Sequence, residues 1–353
     1  MFAGANVDKR IVRQRFDRHA KEYDRYAEVQ RVMADELVER MCQTIRPPSS
    51  EGTPQGTLPN TESLFYNIDL DRMTVSSTDE VRCAVRILDI GCGTGMLSER
   101  LARAFPGAEL TLVDLSLCML ERASMKLTRT GVSPANIHVI NADAEAWLEN
   151  ACGQEGTERP TYNIIASNAA FQWFNSPADT THRLLQLLAP DGILAFATFL
   201  PGTVRELHDA FRQAEALLDL PAQPHGQSYP NKEDWMTWLL GHGGNRLAIR
   251  WETSSYRYTF PDVWTALAQV RRVGAGNAVL VHNDARTMDD GQRKGATSRE
   301  LIHAMQQAYQ ATFQQDDGRV PLTYEVAYCL TQRGLHTCVS GIEGSDRRSR
   351  RYK

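Results

Sequence analysis

The chain has 353 residues, 42% of them hydrophobic, which is enough to bury a substantial core in one large domain or two ordinary ones. A formal net charge of -4 makes no global case for nucleic-acid or membrane binding, and no stretch approaches the length of a membrane-spanning helix. The seven cysteines are scattered without a CxxC pair, so no metal site or disulfide framework is expected, and a reducing cytoplasm is the expected compartment.

In chain order, the first ten residues lack the apolar core of a signal peptide. Residues 9–45 read as helix with a break near Tyr23. Phe16, Ala20 and Tyr23 share one face, as do Val29, Val32, Met33, Leu37 and Met41 further on. Residues 47–84 change character. The run Pro47-Pro-Ser-Ser-Glu-Gly-Thr-Pro-Gln-Gly-Thr-Leu-Pro-Asn60 is turn-forming composition, and the segment is expected to be a low-order insertion. The main α/β domain is expected over residues 85–335, with residues 336–353 a basic, frayed tail.

Within that domain the pattern predicts a strand ending at Asp89, a helix over 96–105, and strands over 110–116, 137–143 and 162–167. A helix over 180–188 leads through a turn at Ala189-Pro-Asp-Gly192 to a strand over 193–198. Helices follow near 204–218 and 235–240. Segments 248–252 and 255–260 alternate, as an antiparallel pair or a sixth strand region. Helices over 263–273 and 299–313 precede a last strand over 322–329. The expected architecture is a doubly wound, mostly parallel seven-stranded Rossmann-like α/β sheet with an N-terminal helical lid over residues 1–46.

Residues Ile87 to Gly95 read Ile-Leu-Asp-Ile-Gly-Cys-Gly-Thr-Gly and narrow the function most. A strand carrying Asp89 turns through Gly91, Gly93 and Gly95, and glycine is needed where the backbone takes φ > 0 or approaches a ligand closely. Strand, glycine turn and helix form the layout of a nucleotide-type cofactor site, but G-x-G-x-G is not the dinucleotide fingerprint. A second strand ends in Asp114, where an acid can accept from two ribose hydroxyls, and a third places Asp143 at the next strand end.

This ordered triple resembles the cofactor motifs of class I S-adenosylmethionine-dependent methyltransferases. The resemblance implies S-adenosyl-L-methionine as cofactor. Asp89 and the amides around Gly91, Gly93 and Gly95 would approach its methionine end, Asp114 would hold its ribose, and Asp143 with Ala144 would meet its adenine. Asp143 also suits a helix N-cap. In the loop Ser167-Asn-Ala-Ala-Phe-Gln-Trp-Phe174, Asn168 and Gln172 would lie near the transferred methyl, with Trp173 and Phe174 as walls or plain core. Cys92 suits a small residue between glycines better than a nucleophile.

The leading run resembles the F-x-x-x-A-x-x-Y-D-x-x-A-x-x-Q segment of small-molecule and acyl-carrier-protein methyltransferases, which folds over the donor as a lid; Tyr23 and Gln30 match the positions near the donor. Together with 188–198, Val270-Arg-Arg-Val-Gly-Ala-Gly-Asn277 and Pro321-Leu-Thr-Tyr-Glu-Val-Ala-Tyr328, it resembles the malonyl-[acyl-carrier protein] O-methyltransferase family of biotin synthesis. That implies methylation of the free carboxyl of a malonyl thioester, on acyl-carrier protein or coenzyme A. A carboxylate with a pKa near about 4 is already ionised at neutral pH, so none of the nine histidines, His19 and His282 included, is assigned as a base.

The malonyl carboxylate needs a partner in a desolvated pocket, and Arg271 and Arg272 are the candidates. Lys9, Arg10, Arg13, Arg15, Arg18, Lys21 and Arg25, with a second group of Arg271, Arg272, Arg286, Arg293 and Lys294, suit an acidic carrier, or a solvated face. The family's pattern is interrupted by residues 47–83 and by a longer stretch at 149–160. The alternatives are another small-acid or quinone-pathway methyltransferase, and a non-catalytic cofactor-binding regulator.

Overall fold

The computed structural model describes residues 7–45, 84–153, 159–223, 225–241, 247–273, 299–333, 338–341 and 350–351. The 47–83 insertion, residues 154–158 of the 149–160 departure, the Gly274–Asn277 turn, His282 and the basic residues at 286, 293 and 294 lie outside these residues. Among the described residues no helix is long and apolar enough to cross a membrane.

The leading segment forms three helices: α1 (Lys9–His19), α2 (Tyr23–Tyr26) and α3 (Glu28–Ile45). The main domain then alternates β1 (Arg86–Ile90), α4 (Met96–Ala104), β2 (Glu109–Asp114), α5 (Leu117–Arg129), β3 (Ile137–Asn141), α6 (Ala144–Gly153), β4 (Tyr162–Asn168), α7 (Pro177–Gln186) and β5 (Leu188–Phe199). After these come α8 (Arg205–Leu217), α9 (Lys232–Gly241), β6 (Leu247–Phe260), α10 (Val263–Arg272), α11 (Arg299–Phe313) and β7 (Val320–Arg333).

Seven strands run in the order β3-β2-β1-β4-β5-β7-β6, with β7 antiparallel to both neighbours and β1 to β5 parallel. The order reverses between β1 and β4, which is where open α/β sheets bind ligands beyond the strands' carboxyl ends. Strand alternation sorts the core. Ile87, Leu110, Leu112, Ile164, Ala166, Ala195 and Ala197 face one cluster with α3, α4, α5 and α8. Leu88, Ile90, Val113, Ile165, Leu194 and Phe196 face the other with α6, α7 and α9.

Three expectations are corrected. Residues 189–192 form an irregularity inside β5: Leu188 pairs with Tyr162 and Ile193 with Ile164, while Asp191 takes φ 59°. Of the two readings of segments 248–252 and 255–260, the sixth strand region holds: they are one strand, and the polar Thr253 and Ser254 between them also pair with β7. The tail is not frayed throughout: β8 (Cys338–Gly341) and β9 (Arg350–Arg351) pair in parallel with β6. In the leading segment, α3 is built into the core, with Met33, Ala34, Leu37 and Met41 fully buried, while α1, α2 and the first turn of α3, through Gln30, reach the pocket at the strand ends.

Candidate functional site

A pocket opens at the carboxyl ends of β1, β2 and β4, where ligands of open α/β sheets bind. Tyr23, Gln30, Asp89, Gly91, Gly93, Asp114, Asp143, Ala144 and Asn168 all line it, as do Lys9, Phe16, Cys92, Thr94 and Trp173. Nine of the thirteen expected site residues are thus brought together from six elements and their loops.

The glycine turn builds the floor. Gly91 (φ 67°) cannot carry a side chain, since a Cβ there would stand 2.4 Å from that of Ala170. The Gly93 amide donates to Asp114 Oδ2 at 2.8 Å, and the Ser116 amide donates to Oδ1 at 2.8 Å. Gly95 (φ 76°) does not line the pocket. It lets α4 approach α5, where a Cβ would meet Ala123 at 2.9 Å.

Asp89 is 1% exposed. Its Oδ2 accepts from Ser98 Oγ at 2.5 Å, while Oδ1 has no partner. Burial pushes its carboxyl up to about 7, against the Ser98 bond and aided by the charge of Asp114. Burial likewise pushes Asp114 up to about 6, held there by the two amide bonds. The Cys92 thiol is driven well above its ordinary value by burial, so it stays protonated.

Two further acceptors at the pocket are buried without a partner: Gln30 Oε1 and Asn168 Oδ1. Asn168 Nδ2 donates to the Gln30 carbonyl at 2.8 Å and so ties the end of β4 to α3. Three orphaned acceptors, one a carboxylate, suit a ligand with a cationic, hydrogen-bond-donating end.

The aromatic wall is Phe16, Tyr23 and Trp173. Phe16 meets Tyr23 at 6.1 Å and Trp173 at 5.5 Å, both edge to face. Burial raises the Tyr23 phenol, so it keeps its proton and can donate.

Asp143 is not at a strand end. β3 stops at Asn141, and Asp143 Oδ1 accepts from the Glu145 amide at 3.2 Å, capping α6, as well as from Lys9 Nζ at 3.0 Å.

Three expected residues stand elsewhere. Gln172 does not line the pocket. Its Nε2 donates to the Ala169 carbonyl at 2.6 Å, back into its own turn, which removes the basis for a catalytic role. Arg271 and Arg272 end α10 on the surface, where Arg272 lies over the Tyr26 ring at 4.4 Å, away from the pocket lining.

Sequence reasoning missed the side chains that fasten α1 and α2. Lys9 reaches Asp143 and also Glu145 Oε2 at 2.7 Å. Asp17 accepts from Ser116 Oγ at 2.5 Å. Asp24 accepts from Thr94 Oγ1 at 2.5 Å and Lys126 Nζ at 2.8 Å. The available signal was the placing of acids, Asp17 and Asp24 among them, in a helical run crowded with basic residues.

Residues 87–192 match the family model described as "Methyltransferase domain". The chain is 30% identical to malonyl-[acyl-carrier protein] O-methyltransferase of Halalkalibacterium halodurans, over 92% of this chain and 99% of the relative. It is also 30% identical to the protein of that name from Brevibacillus brevis, over 91% and 95%. Among solved structures, the YcgJ protein of Bacillus subtilis aligns over 73% of this chain and 95% of its own at 16% identity, with a TM-score of 0.44. With its sheet order, its glycine turn and relatives matched nearly end to end, the chain belongs to the malonyl-[acyl-carrier protein] O-methyltransferase family.

Proposed function

We propose that the protein transfers a methyl group from S-adenosyl-L-methionine to the free carboxyl of a malonyl thioester on acyl-carrier protein. The product is the methyl ester that primes pimeloyl formation for biotin, and the enzyme acts in the cytoplasm. The observation that carries the donor half is the set of unpartnered oxygens of Gln30, Asp89 and Asn168 in one pocket with the half-buried Asp114. The family membership carries the acceptor half.

In this reading Asp89, Gln30 and Asn168 hold the donor's amino-acid end. Asp114 accepts from its ribose, and Asp143 with Ala144 borders its adenine. Bound S-adenosylmethionine supplies an electrophilic methyl on a sulfonium. The protein's work is to orient that group and exclude water, because a malonyl carboxylate is ionised already and needs no base. Phe16, Tyr23 and Trp173 close the wall against solvent, and the protonated Tyr23 hydroxyl is the one polar group among them suited to steer an acceptor oxygen.

Arg271 and Arg272 act in docking, as part of an outer face of α10 that also exposes Trp264. Arg25 lies on the same side, over the Tyr26 ring at 5.6 Å. An exposed tryptophan among arginines suits an acidic protein surface. The test is mass spectrometry of malonyl-acyl-carrier protein after incubation with enzyme and donor. A gain of one CH2 that appears on the malonyl group, and on no free small acid, is expected. Methylation of free acids only would reject the carrier-bound acceptor.

A further inference from the structure

The end of β4 and the turn after it carry Asn168 and Ala170 to the pocket, and the residue between them is strained. Ala169 takes φ 52°, a left-handed conformation that a Cβ disfavours. Such backbone persists where its surroundings over-determine it. The Ala169 amide donates to the Ala197 carbonyl at 2.9 Å, and the Trp173 amide donates to Ala170 O at 3.0 Å. Gln172 Nε2 donates to Ala169 O at 2.6 Å. Gln172 is in turn held by Gln227, whose Nε2 donates to the Gln172 carbonyl at 3.3 Å.

Gln227 belongs to a connection pinned on α8. His225 Nε2 lies 2.5 Å from Glu215 Oε1, and its ring stacks on Phe211 at 4.0 Å. Gly226 abuts the His208 ring so closely that a Cβ there would come within 2.4 Å. The Oε1 atoms of Gln172 and Gln227 are both buried without a partner. Each amide is therefore placed for its donor, at the cost of an unsatisfied acceptor.

We propose that Gln172 and Gln227 are positioning residues for the methyl-transfer site. The two amides relay the position of the α8 connection to the strained turn and so fix where Asn168 stands. The inference rests on the reading that Asn168 meets the donor.

The test is a double-mutant cycle on the full chain, with calorimetric titration of S-adenosylhomocysteine. Gln227→Met keeps the side chain's length but removes the donor, and Gln172→Met does the same one step nearer. Each should weaken binding about fivefold without a matching drop in Tm. Ala169→Gly should rescue most of that loss, since glycine takes the turn unaided, leaving a penalty below about twofold. A merely structural role would give the same loss in both backgrounds, and that result overturns the proposal, as does full affinity in both methionine variants. Amide exchange over residues 168–174 reads the turn without ligand and should quicken in Gln227→Met. Unchanged exchange overturns the relay on its own. A wild-type chain that fails to bind S-adenosylhomocysteine contradicts the donor site instead, and the exchange measurement still decides the relay.

Discussion

Asp89 gives the sharpest handle on the site, because burial sets its carboxyl at about 7, where ordinary assays cross it. A cationic donor end beside Oδ1 favours the ionised form, so binding must release the proton that the empty folded site retains. With an apparent value near 7, the ionised fraction is about one half at pH 7 and roughly one tenth at pH 6. Apparent affinity scales with the competent fraction. Donor binding should therefore weaken about fivefold between pH 7 and pH 6, roughly 1 kcal/mol, and strengthen less than twofold between pH 7 and pH 8. Asp114, at about 6, adds a lower step, and because its charge raises Asp89 the two titrate as a pair. Asp89→Asn should remove the upper step and leave the lower one. Calorimetry in two buffers of different ionisation enthalpy measures both the affinity and the protons released. Flat affinity from pH 6 to pH 8 with no proton release would refute the reasoning.

The same shift has a stability sign. The folded value lies above the ordinary 3.8, so the folded chain holds the proton that the unfolded chain has lost between about pH 4 and pH 7. Stability without ligand is greatest below the ordinary value and falls as pH rises through that window, by up to about 4 kcal/mol for one such group. Asp89→Asn should flatten this fall, as read by denaturant unfolding at pH 5 and pH 8.

Asp114→Ala should weaken donor binding by about 1.5–3 kcal/mol, as expected for charge-assisted bonds; unchanged calorimetric affinity in a folded variant would remove Asp114 from the site. Tyr23→Phe should lower turnover with malonyl-carrier protein more than it lowers Tm, and an unchanged turnover number would reduce Tyr23 to packing. Replacing Arg271 and Arg272 together by methionine should raise KM for the carrier-borne acceptor at least severalfold while donor affinity stays fixed. An unchanged KM would dismiss the α10 face as a docking surface.

The turn at the pocket edge was legible because it depends on backbone. Gly91, Gly93 and Gly95 all have positive φ, and three alternating glycines after an apolar run state that requirement directly. Asp89 and Asp114 were legible because strand ends are set by hydrophobic period. What failed were inferences about where a polar side chain points. Gln172 looked available for chemistry, yet the nearest acceptor was a carbonyl three residues back. Arg271 and Arg272 follow Val270 into the last turn of α10, where the buried positions Val263, Ala266, Leu267 and Val270 leave them outside. The composition of 189–192 did mark a positive φ, but pairing with β4 on both sides kept the chain in the sheet. Nor can helical period show that one stretch of helix joins the core while its neighbour is held by charge.

That last difference decides which part of the leading segment opens. In α3 the fixing residues are apolar and fully buried, so releasing it would expose core. α1 has one buried apolar residue, Val12, and is held chiefly by Lys9 and Asp17, while α2 is held by Asp24. Segments with few apolar contacts open at lower free energy than the core. Donor exchange should therefore proceed by release of residues 9–27 while α3 stays in place. Lys9 is the bond to cut, since its two carboxylate contacts are mostly shielded from solvent, at 18% side-chain exposure for the lysine. Lys9→Met should weaken donor binding by about 1–2 kcal/mol, chiefly through faster dissociation, and should quicken amide exchange in α1 and α2. Equal quickening through residues 29–45 would show that the segment opens as one unit, and an unchanged dissociation rate would show that Lys9 does not fasten it.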